Sequence, residues 1–473
     1  MKVDKLRFSN RLIYIAILYV LPLILANVLY IDDMGRALYG YGWEVDGRLF
    51  ASYLMQALSF GGAIVPMFPY SVTAAALIVF LAGVIVSNII IKEYSLTLNV
   101  CCLLLLTSPF YLENLSYRYD AIPMAASILL AVIPFLVNGM VLFSLLSVIS
   151  LFIVFGLYQT STMVYFAMFI CISFRDVKEC GLKYVIKFAI ICTLSFIVSY
   201  MLYSLWVRLM GLSMPRGELI HFNGDTFNSI LTRIKAYSQI YSYLFSREYI
   251  IAILPITAAV LWSFFKHLKD DLRRGIIYTI ALAASVSLIT ILTTMPNLLL
   301  KDPWYTPRTF VCYPFILIAI SIYCLKAVSD IFLGISLSVI VFFSFVLSSS
   351  YGSVLKVNND YDNFLAQSIS EKIMKDSNRG EYTVVIMGKQ SRPILSSMFY
   401  DKFPILVKLA PLYMSEGWYW GVKDLSRFLN IRSSSDAQKV IKSACDFDEI
   451  YKSSIYNLYH RNDVYIVDFE KKC

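Results

Sequence analysis

The stretch LIYIAILYVLPLILANVLYI, residues 12–31, contains no charged side chain and is followed directly by Asp32 and Asp33. About twenty apolar helical residues span the hydrocarbon core of a bilayer. Similar runs recur along the 473-residue chain, which is 58% hydrophobic and 15% charged, with a mean hydropathy of +0.67. Soluble domains carry about 25% charged residues. The sequence therefore predicts a polytopic, mainly α-helical membrane protein.

The uncharged runs predict about eleven transmembrane helices. The longest, block 140–174, exceeds one span and is interpreted as two helices that turn around residues 158–160. Residues 49–63 are apolar but short, which favours a position at the membrane interface or a re-entrant segment. The ten blocks are 12–31, 66–91, 96–112, 121–137, 140–174, 188–207, 249–265, 275–295, 309–325 and 331–350.

The distribution of lysine and arginine predicts the orientation. The segments expected on the same side of the membrane as the N-terminus hold 14 lysines and arginines in 44 positions. The loops expected on the other side hold 10 in 82. Because positive residues stay on the cytoplasmic side, the N-terminus is expected inside and the C-terminus outside. The outer loops are then 32–63, 113–120, 208–248 and 296–308. The net charge of +9 reflects this topology, so a nucleic-acid partner is not expected.

The composition changes at Tyr351, which predicts a transmembrane domain over 1–350 and a soluble domain over 351–473. The tail contains 17 Lys+Arg and 15 Asp+Glu. TVVIMG (383–388) and DVYIVDF (463–469) have the pattern of buried strands, and SSDAQKVIKSA (434–444) that of a helix. We therefore expect a small α/β domain. A further helix is expected at ILTRIKAYSQIYSYLF (230–245), in the third outer loop.

The remaining composition argues against several classes of protein. The three histidines are scattered and no CxxC pair occurs, so neither a zinc site nor another cofactor is expected. The sequence does not determine whether Cys445 and Cys473 form a disulfide. The interiors of the predicted spans carry no ionisable side chain, whereas ion-coupled transporters usually place such groups at mid-membrane depth.

The first outer loop begins with the adjacent carboxylates of Asp32 and Asp33. Their mutual repulsion and partial desolvation should raise at least one pKa, which suits a general base or, less favourably, a divalent-metal ligand. Arg36, Trp43 and Arg48 follow within sixteen residues. The alternative interpretation is an acidic loop that only supports topology or solvation.

The second outer loop, SPFYLENLSYRYD (108–120), mixes Glu113, Arg118 and Asp120 with tyrosines that include Tyr117. Carboxylates accept hydrogen bonds from sugar hydroxyls and aromatic rings cover the apolar sugar face. An interfacial aromatic belt with compensating charges is the alternative.

Two further segments extend this pattern. PNLLLKDPWYTPRTF (296–310) places Lys301, Trp304 and Arg308 in a proline-stiffened loop suited to a lipid phosphate, or to a plain connector. MSEGWYWG (414–421) contributes Trp418 and Trp420, which could meet an acceptor glycan or dock the tail. A base, cations for a departing phosphate and rings for a sugar together favour glycosyl transfer from a lipid-phosphate donor. The sequence lacks a glycine-rich nucleotide-binding loop between a strand and a helix.

Two motifs resemble a known family. The pattern N-x-x-Y-x-D-D-x-x-R, then G-x-x-W and G-R, matches across residues 27–48, and SPFYLENLSYRYD follows. The resemblance is to the phage-type serotype-converting O-antigen glucosyltransferases, the Gtr family of bacterial integral membrane proteins, and is clearest over about residues 10–140. The residues that match the first motif are Asn27, Tyr30, Asp32, Asp33, Arg36, Gly40, Trp43, Gly47 and Arg48.

The resemblance implies an inverting inner-membrane glycosyltransferase of the GT-C type with a periplasmic active site. Such enzymes transfer a sugar, typically glucose, from undecaprenyl phosphate to lipid-linked O-antigen. A donor flippase and a cytoplasmic enzyme that loads the lipid usually accompany them. GT-C enzymes place a catalytic Asp in the first outer loop, which corresponds to Asp32 or Asp33 here.

The expected roles are therefore as follows. Asp33 or Asp32 is the base, with Glu113 and Asp120 as stabilising carboxylates. The donor phosphate is expected at Arg118, Arg308, Arg36, Arg48 and Lys301. Sugar or acceptor contacts are expected from Trp43, Tyr117, Trp304, Trp418 and Trp420. No metal is expected, and Asp32 and Asp33 would be its ligands if one bound.

Alternatives remain within and outside this class. A GT-C transferase of another sugar or an O-antigen ligase would have similar loops. A flippase or exporter of a lipid-linked sugar would need a polar path across the membrane, and the charge-free spans argue against one.

Overall fold

The computed structural model describes residues 6–212, 217–220, 224, 226–376, 380–432 and 436–472, and helices dominate it. The first nine helices precede residue 210. They are α1 Arg11–Ala26, α2 Asp32–Tyr39, α3 Leu49–Leu58, α4 Tyr70–Ile90, α5 Leu96–Leu104, α6 Tyr111–Ser116, α7 Ala121–Val132, α8 Met140–Leu157 and α9 Thr162–Leu209. The next five are α10 Thr226–Leu244, α11 Arg247–Asp270, α12 Leu272–Thr294, α13 Pro314–Cys324 and α14 Asp330–Asp376.

Six helical segments in the described part of the chain are long and apolar enough to cross a membrane. They are Tyr70–Ile90, Met140–Leu157, Gly181–Leu209, Arg247–Asp270, Leu272–Thr294 and Asp330–Asp376. Shorter apolar helices occupy other predicted blocks, as at Arg11–Ala26, Ala121–Leu136 and Pro314–Cys324. The chain thus has the helices of a membrane protein, and the count of eleven spans stays a prediction.

Two local predictions in this region are confirmed. Block 140–174 divides where α8 ends at Leu157, and a short 3₁₀ turn over Gln159–Ser161 precedes α9. The expected helix in the third outer loop is α10. Residues 49–63 form the short helix α3 and the loop that follows it.

The long helices share one apolar core, in which small residues permit close approach. A Cβ at Gly83 of α4 would lie 2.2 Å from the carbonyl oxygen of Cys102 on α5. Helix α1 packs against α14, where the Ser348 hydroxyl donates to the Tyr19 carbonyl (2.8 Å). The first hydrophobic stretch therefore lies beside the last one.

Helix α14 connects this core to the tail without interruption. Its 47 residues are about 70 Å long, well beyond the roughly 30 Å of a bilayer core. Apolar side chains in its first part belong to the helical core, and Leu365, Ile369 and Ile373 pack beneath the sheet of the tail. The tail is thus held in a fixed position relative to the helices.

The tail is a mixed sheet with short helices, as the sequence predicts. Its strands are β1 Tyr382–Met387, β2 Ile431–Arg432, β3 Asp448–Lys452, β4 Asn457–Arg461 and β5 Val464–Asp468, in the order β2-β1-β5-β4-β3. β1 runs parallel to β2 and β5, and the other pairs are antiparallel. Its helices are α15 Ile394–Lys402, α16 Leu406–Leu409, α17 Tyr419–Leu425 and α18 Ala437–Lys442. Of the possible disulfide pair, Cys473 lies outside the described residues.

The tail covers the segment that joins α1 to α2. The Tyr30 hydroxyl donates to the Leu409 carbonyl (2.8 Å), and the Ile31 N–H donates to the Tyr413 hydroxyl (3.2 Å). Helix α17 packs on α2. The residues that follow α1 are therefore enclosed between the helical core and the tail.

Candidate active site

The chain turns sharply between α1 and α2. Asn27 ends α1 in the left-handed conformation (φ 51°), which asparagine tolerates better than most residues. Ile31 also has a positive φ (46°). Helix α2 ends at Gly40 (φ 59°), where a Cβ would lie 2.8 Å from that of Ala63. These turns place Asp32 and Asp33 in the first turn of α2.

Asp33 is fully buried and fixes two segments to each other. Its carboxylate accepts the N–H groups of Arg118 (2.8 Å), Tyr30 (3.3 Å) and Tyr119 (3.4 Å). Burial raises the pKa of Asp33 to about 7, although the N–H of Arg118 and the charge of Arg36 oppose the shift. Asp33 thus ties the first outer loop to the second.

Asp32 has different surroundings from its neighbour, because successive residues of a helix point about 100° apart. Its side chain is 26% exposed, and its Oδ2 lies 3.8 Å from Arg36 Nη1. It is also close enough for its charge to act on Arg308, Glu113 and Tyr117. Asp32 is therefore the more accessible of the two adjacent carboxylates.

Arg308 joins loop 296–308 to loop 113–120. Its N–H donates to Glu113 Oε2 (2.7 Å), and its Nη1 donates to the Tyr117 hydroxyl (2.6 Å). Burial raises the pKa of Glu113 to about 7, against the opposing charge of Arg308. A cation, a carboxyl of ambiguous charge and an aromatic ring thus meet beside Asp32.

Arg36 is buried with unmatched donors. It is 3% exposed, and its guanidinium carbon lies 4.3 Å from the ring centre of Trp43 and 5.1 Å from that of Tyr41. Among the described residues, its Nε and Nη1 have no hydrogen-bond partner. Because buried charges are normally paired, this guanidinium is suited to an anion.

Arg48 and Asp120 form a buried, bidentate ion pair. Nη1 and Nη2 of Arg48 bind the Asp120 carboxylate at 2.9 and 2.5 Å, and Nε donates to the Leu157 carbonyl (2.6 Å). Burial would raise the pKa of Asp120, but the charge and hydrogen bond of Arg48, together with the charges of Arg36 and Arg308, outweigh burial and lower this pKa. The Arg48 guanidinium also lies 5.7 Å from the ring centre of Trp43, so two cations, Arg36 and Arg48, lie next to this ring.

The cation candidates Arg118 and Lys301 lie apart from Arg308. The Arg118 side chain donates to the Val28 carbonyl (2.8 Å) and to Asn27 Oδ1 (2.7 Å). Lys301 forms an exposed ion pair with Glu218 (2.9 Å). Within the described contacts, neither side chain touches Glu113 or Tyr117.

The aromatic candidates are divided between two places. Trp304 is 43% exposed, with the Arg308 guanidinium 5.5 Å from its ring centre. The ring of Trp418 lies 5.7 Å from that of Tyr413 and is tilted against it, and Trp420 lies beside Gly35 of α2. Tyr117 is fully buried, edge-on to Tyr30 at 4.9 Å.

One site residue, Tyr158, was absent from the sequence candidates. Its hydroxyl donates to the Arg308 carbonyl (3.2 Å), and the Arg48 guanidinium lies 5.2 Å from its ring centre. It thus bridges two arginines from different loops. The available signal was its position in the turn that interrupts block 140–174.

Comparisons with known proteins identify the family of this chain. The family described as Glucosyl transferase GtrII matches residues 21–319, which include the three loops of the site. An uncharacterised 55.3 kDa protein in the gtrB 5′ region of Salmonella phage P22 is 23% identical over 480 residues, covering 96% of this chain and 95% of its own. No solved structure matches the chain. With a family match over more than half of its length, the chain belongs to the GtrII glucosyl transferase family.

Proposed function

We propose that this glucosyltransferase moves glucose from undecaprenyl phosphate-glucose to a sugar of lipid-linked O-antigen, with inversion at the anomeric carbon. The reaction takes place at the periplasmic face of the bacterial inner membrane. The family supports glucosyl transfer and the apolar helices support a membrane location. A donor flippase and a cytoplasmic glucosyltransferase would supply the donor.

The observation that carries this proposal is the pair of cations, the buried Arg36 and the half-buried Arg308, beside the partly exposed Asp32. The donor is a phosphodiester with one negative charge, and the departing lipid phosphate carries two. Cations positioned where charge develops stabilise the transition state more than the ground state. The unmatched Nε and Nη1 of Arg36 are donors for that phosphate.

Asp32 acts as the general base in this scheme. It takes the proton of the acceptor hydroxyl as that oxygen bonds to the anomeric carbon and the bond from this carbon to the phosphate oxygen breaks. Its 26% exposure admits an acceptor, whereas Asp33 is enclosed by three backbone N–H groups. Asp33 is therefore a positioning residue that holds α2 against residues 117–119.

The remaining polar groups have supporting roles. Ionised Glu113 stabilises the positive charge that develops on the sugar ring. Arg48 and Asp120 are already paired with each other, so they hold the loops in place and support Trp43. Trp304, exposed beside Arg308, is the sugar platform next to the phosphate.

The test is transfer of radiolabelled glucose from undecaprenyl phosphate-glucose to lipid-linked O-antigen in membranes, at matched expression. We expect Asp32→Asn to reduce kcat by about 10²- to 10⁴-fold, the usual contribution of a general base. Asp33→Asn should lower activity together with thermal stability. The exposed Asp360→Asn, on α14, is the matched control and should behave like wild type.

Three outcomes would contradict parts of the proposal. Full activity of Asp32→Asn would move the base to Glu113 or Asp33. Transfer of another sugar in preference to glucose would reassign the donor. If the protein moved a lipid-linked sugar across the bilayer of proteoliposomes without transferring glucose to the acceptor, a flippase function would be favoured.

A further inference from the structure

A polar cavity of about 230 Å³ lies where the tail meets the start of α2. Its walls on the helical side include Asn27 and Arg118, and those on the tail side include Asp362, Asp424 and Arg427. The Arg118 N–H binds Asp33, and Met34, next to Asp33 in sequence, also lines the cavity. The cavity therefore adjoins the candidate active site.

Two of its carboxylates have unused hydrogen-bonding capacity. Asp362 and Asp424 are 2% and 3% exposed. One oxygen of each is held, by Gln390 Nε2 (2.6 Å) and by Arg427 (2.5 Å) respectively. The other oxygen, Oδ2 in both, has no hydrogen-bond partner among the described residues. Buried polar atoms are rarely left unpaired, so these oxygens point to a ligand with donors.

The charge balance of the walls selects the class of ligand. The two carboxylates oppose an anion, and the guanidinium groups of Arg118 and Arg427 oppose a cation. Within the described residues, no group of three or more acidic, histidine or cysteine side chains could hold a metal ion. A neutral molecule with many hydroxyl groups satisfies acceptors and donors together, and Tyr413, which also lines the cavity, is a residue type common in sugar sites.

The volume limits the size of that molecule. About 230 Å³ corresponds to roughly seven or eight waters at about 30 Å³ each. This space suits a single sugar ring.

We infer that this cavity binds one sugar unit of the acceptor glycan, with Asp362 and Asp424 accepting hydrogen bonds from its hydroxyls. The inference rests on the proposed function for the identity of the glycan. It places acceptor recognition on the tail, through residues beyond the matched family region 21–319. The donor phosphate then lies at Arg36 and Arg308, and the acceptor approaches from the side of Arg118.

The experiment uses the full-length enzyme in detergent and two readouts. Binding is measured with O-antigen polysaccharide released from lipopolysaccharide of a matched strain that lacks the gene, so that the acceptor sugar is not yet glucosylated. Transfer kinetics are measured with lipid-linked O-antigen and undecaprenyl phosphate-glucose. The variants are Asp362→Asn and Asp424→Asn, whose remaining carbonyl oxygens can still accept from Gln390 and Arg427, with Asp360→Asn as the control on the same helix.

We expect each variant to raise the acceptor KM and weaken polysaccharide binding by about tenfold to one-hundredfold, the effect of losing a charge-assisted hydrogen bond. The kcat and the donor KM should stay within about twofold of wild type, since the cations for the donor are untouched. A purely structural role would instead lower kcat and thermal stability together. Asn359→Phe, which fills the cavity from its wall without removing a buried charge, should have the same effect if either Asn variant fails to fold.

The outcomes separate this inference from the proposed function. Transfer by wild type with an unchanged acceptor KM in the folded variants would overturn the acceptor site alone. Absence of transfer by wild type, together with polysaccharide binding that depends on Asp362 and Asp424, would refute the glucosyl-transfer scheme and uphold the saccharide site.

Discussion

Replacement of Arg36 by methionine should separate activity from stability. Arg36→Met retains an unbranched apolar side chain beside Trp43 and Tyr41 but removes the buried guanidinium. Among the described residues, the positive charge has one ion-pair partner, Asp32 at 3.8 Å, and two donors without a hydrogen bond, although it also acts on Asp33 and Asp120. A buried charge with so little compensation costs stability. The melting temperature of Arg36→Met should therefore equal or exceed that of wild type.

The expected loss of activity follows from the charge on the leaving group. One unit charge at about 4 Å is worth about 4 kcal/mol at an effective dielectric constant of about 20, and a charge-assisted hydrogen bond about 1.5–3 kcal/mol. A loss of about 2–4 kcal/mol of transition-state stabilisation corresponds to about 30- to 900-fold in kcat/KM. The kcat/KM of Arg36→Lys should lie between those of wild type and Arg36→Met, because lysine keeps the positive charge but lacks the planar guanidinium.

The assay combines steady-state transfer from radiolabelled donor with thermal unfolding of the same purified samples. Arg274→Met, which removes an exposed arginine of α12, is the control for expression and handling. Unchanged kcat/KM in Arg36→Met would refute a phosphate-binding role. A large fall in melting temperature would show that Arg36 is a structural cation whose contacts are satisfied.

Three further predictions address the same site. Transfer should increase as the pH rises through about 7, because burial raises the pKa of Glu113 to about 7 and only its ionised form stabilises a cationic sugar. Glu113→Gln should flatten this rise in a plot of rate against pH. A rise that is unchanged in the variant would point to Asp33 instead. Arg48→Met and Asp120→Asn should each cost about 3–5 kcal/mol of stability, because each leaves a buried charge without its partner. The double variant Arg48→Met/Asp120→Leu should have a higher melting temperature than either single variant. Additive losses of stability would contradict a coupled pair. Transfer should persist in excess EDTA, because Arg36 and Arg308 supply the positive charge, and loss of transfer that is restored by Mg²⁺ or Mn²⁺ would show that a metal is required.

The ionisation of Asp33 gives a stability test with a definite sign. Its folded-state pKa lies above its ordinary value, so Asp33 stabilises the fold most below pH 4, and this contribution is lost as the pH rises through about 7. Between pH 5 and 8, the melting temperature of wild type should therefore fall more than that of Asp33→Asn. Parallel curves would show that Asp33 does not contribute to the pH dependence of stability in this range, contrary to a raised pKa.

Much of the fold could be predicted from local sequence because its signals are local. A long run without charges indicates a helix in the bilayer, because backbone polar groups there must pair with each other. The turn inside block 140–174 is predicted because this block is longer than one span. The alternating and apolar segments 383–388 and 463–469 mark strands of the tail, and both are present. The pairing of α1 with α14 has no such signal, because it depends on how distant helices pack.

The candidate site was predictable as a set of loops but not as a geometry. Acids, bases and rings recur at the ends of apolar runs, and this recurrence indicated where chemistry would gather. The separation of Asp32 from Asp33 needed the helical start of α2, which turns adjacent side chains apart. The partnership of Arg48 with Asp120, 72 residues away, and the diversion of Arg118 to Asn27 needed the packed loops.

By itself, the sequence determined that this protein is built from apolar helices, that its polar chemistry lies at their ends, and that its motifs resemble those of glucosyltransferases. Only the tertiary structure decided which charges are saturated and which have unused donors or acceptors. Arg36, Asp362 and Asp424 cannot be distinguished by type from the paired Arg48 and Asp120. Their difference arises because hydrogen bonds and burial depend on neighbours that come from distant parts of the chain.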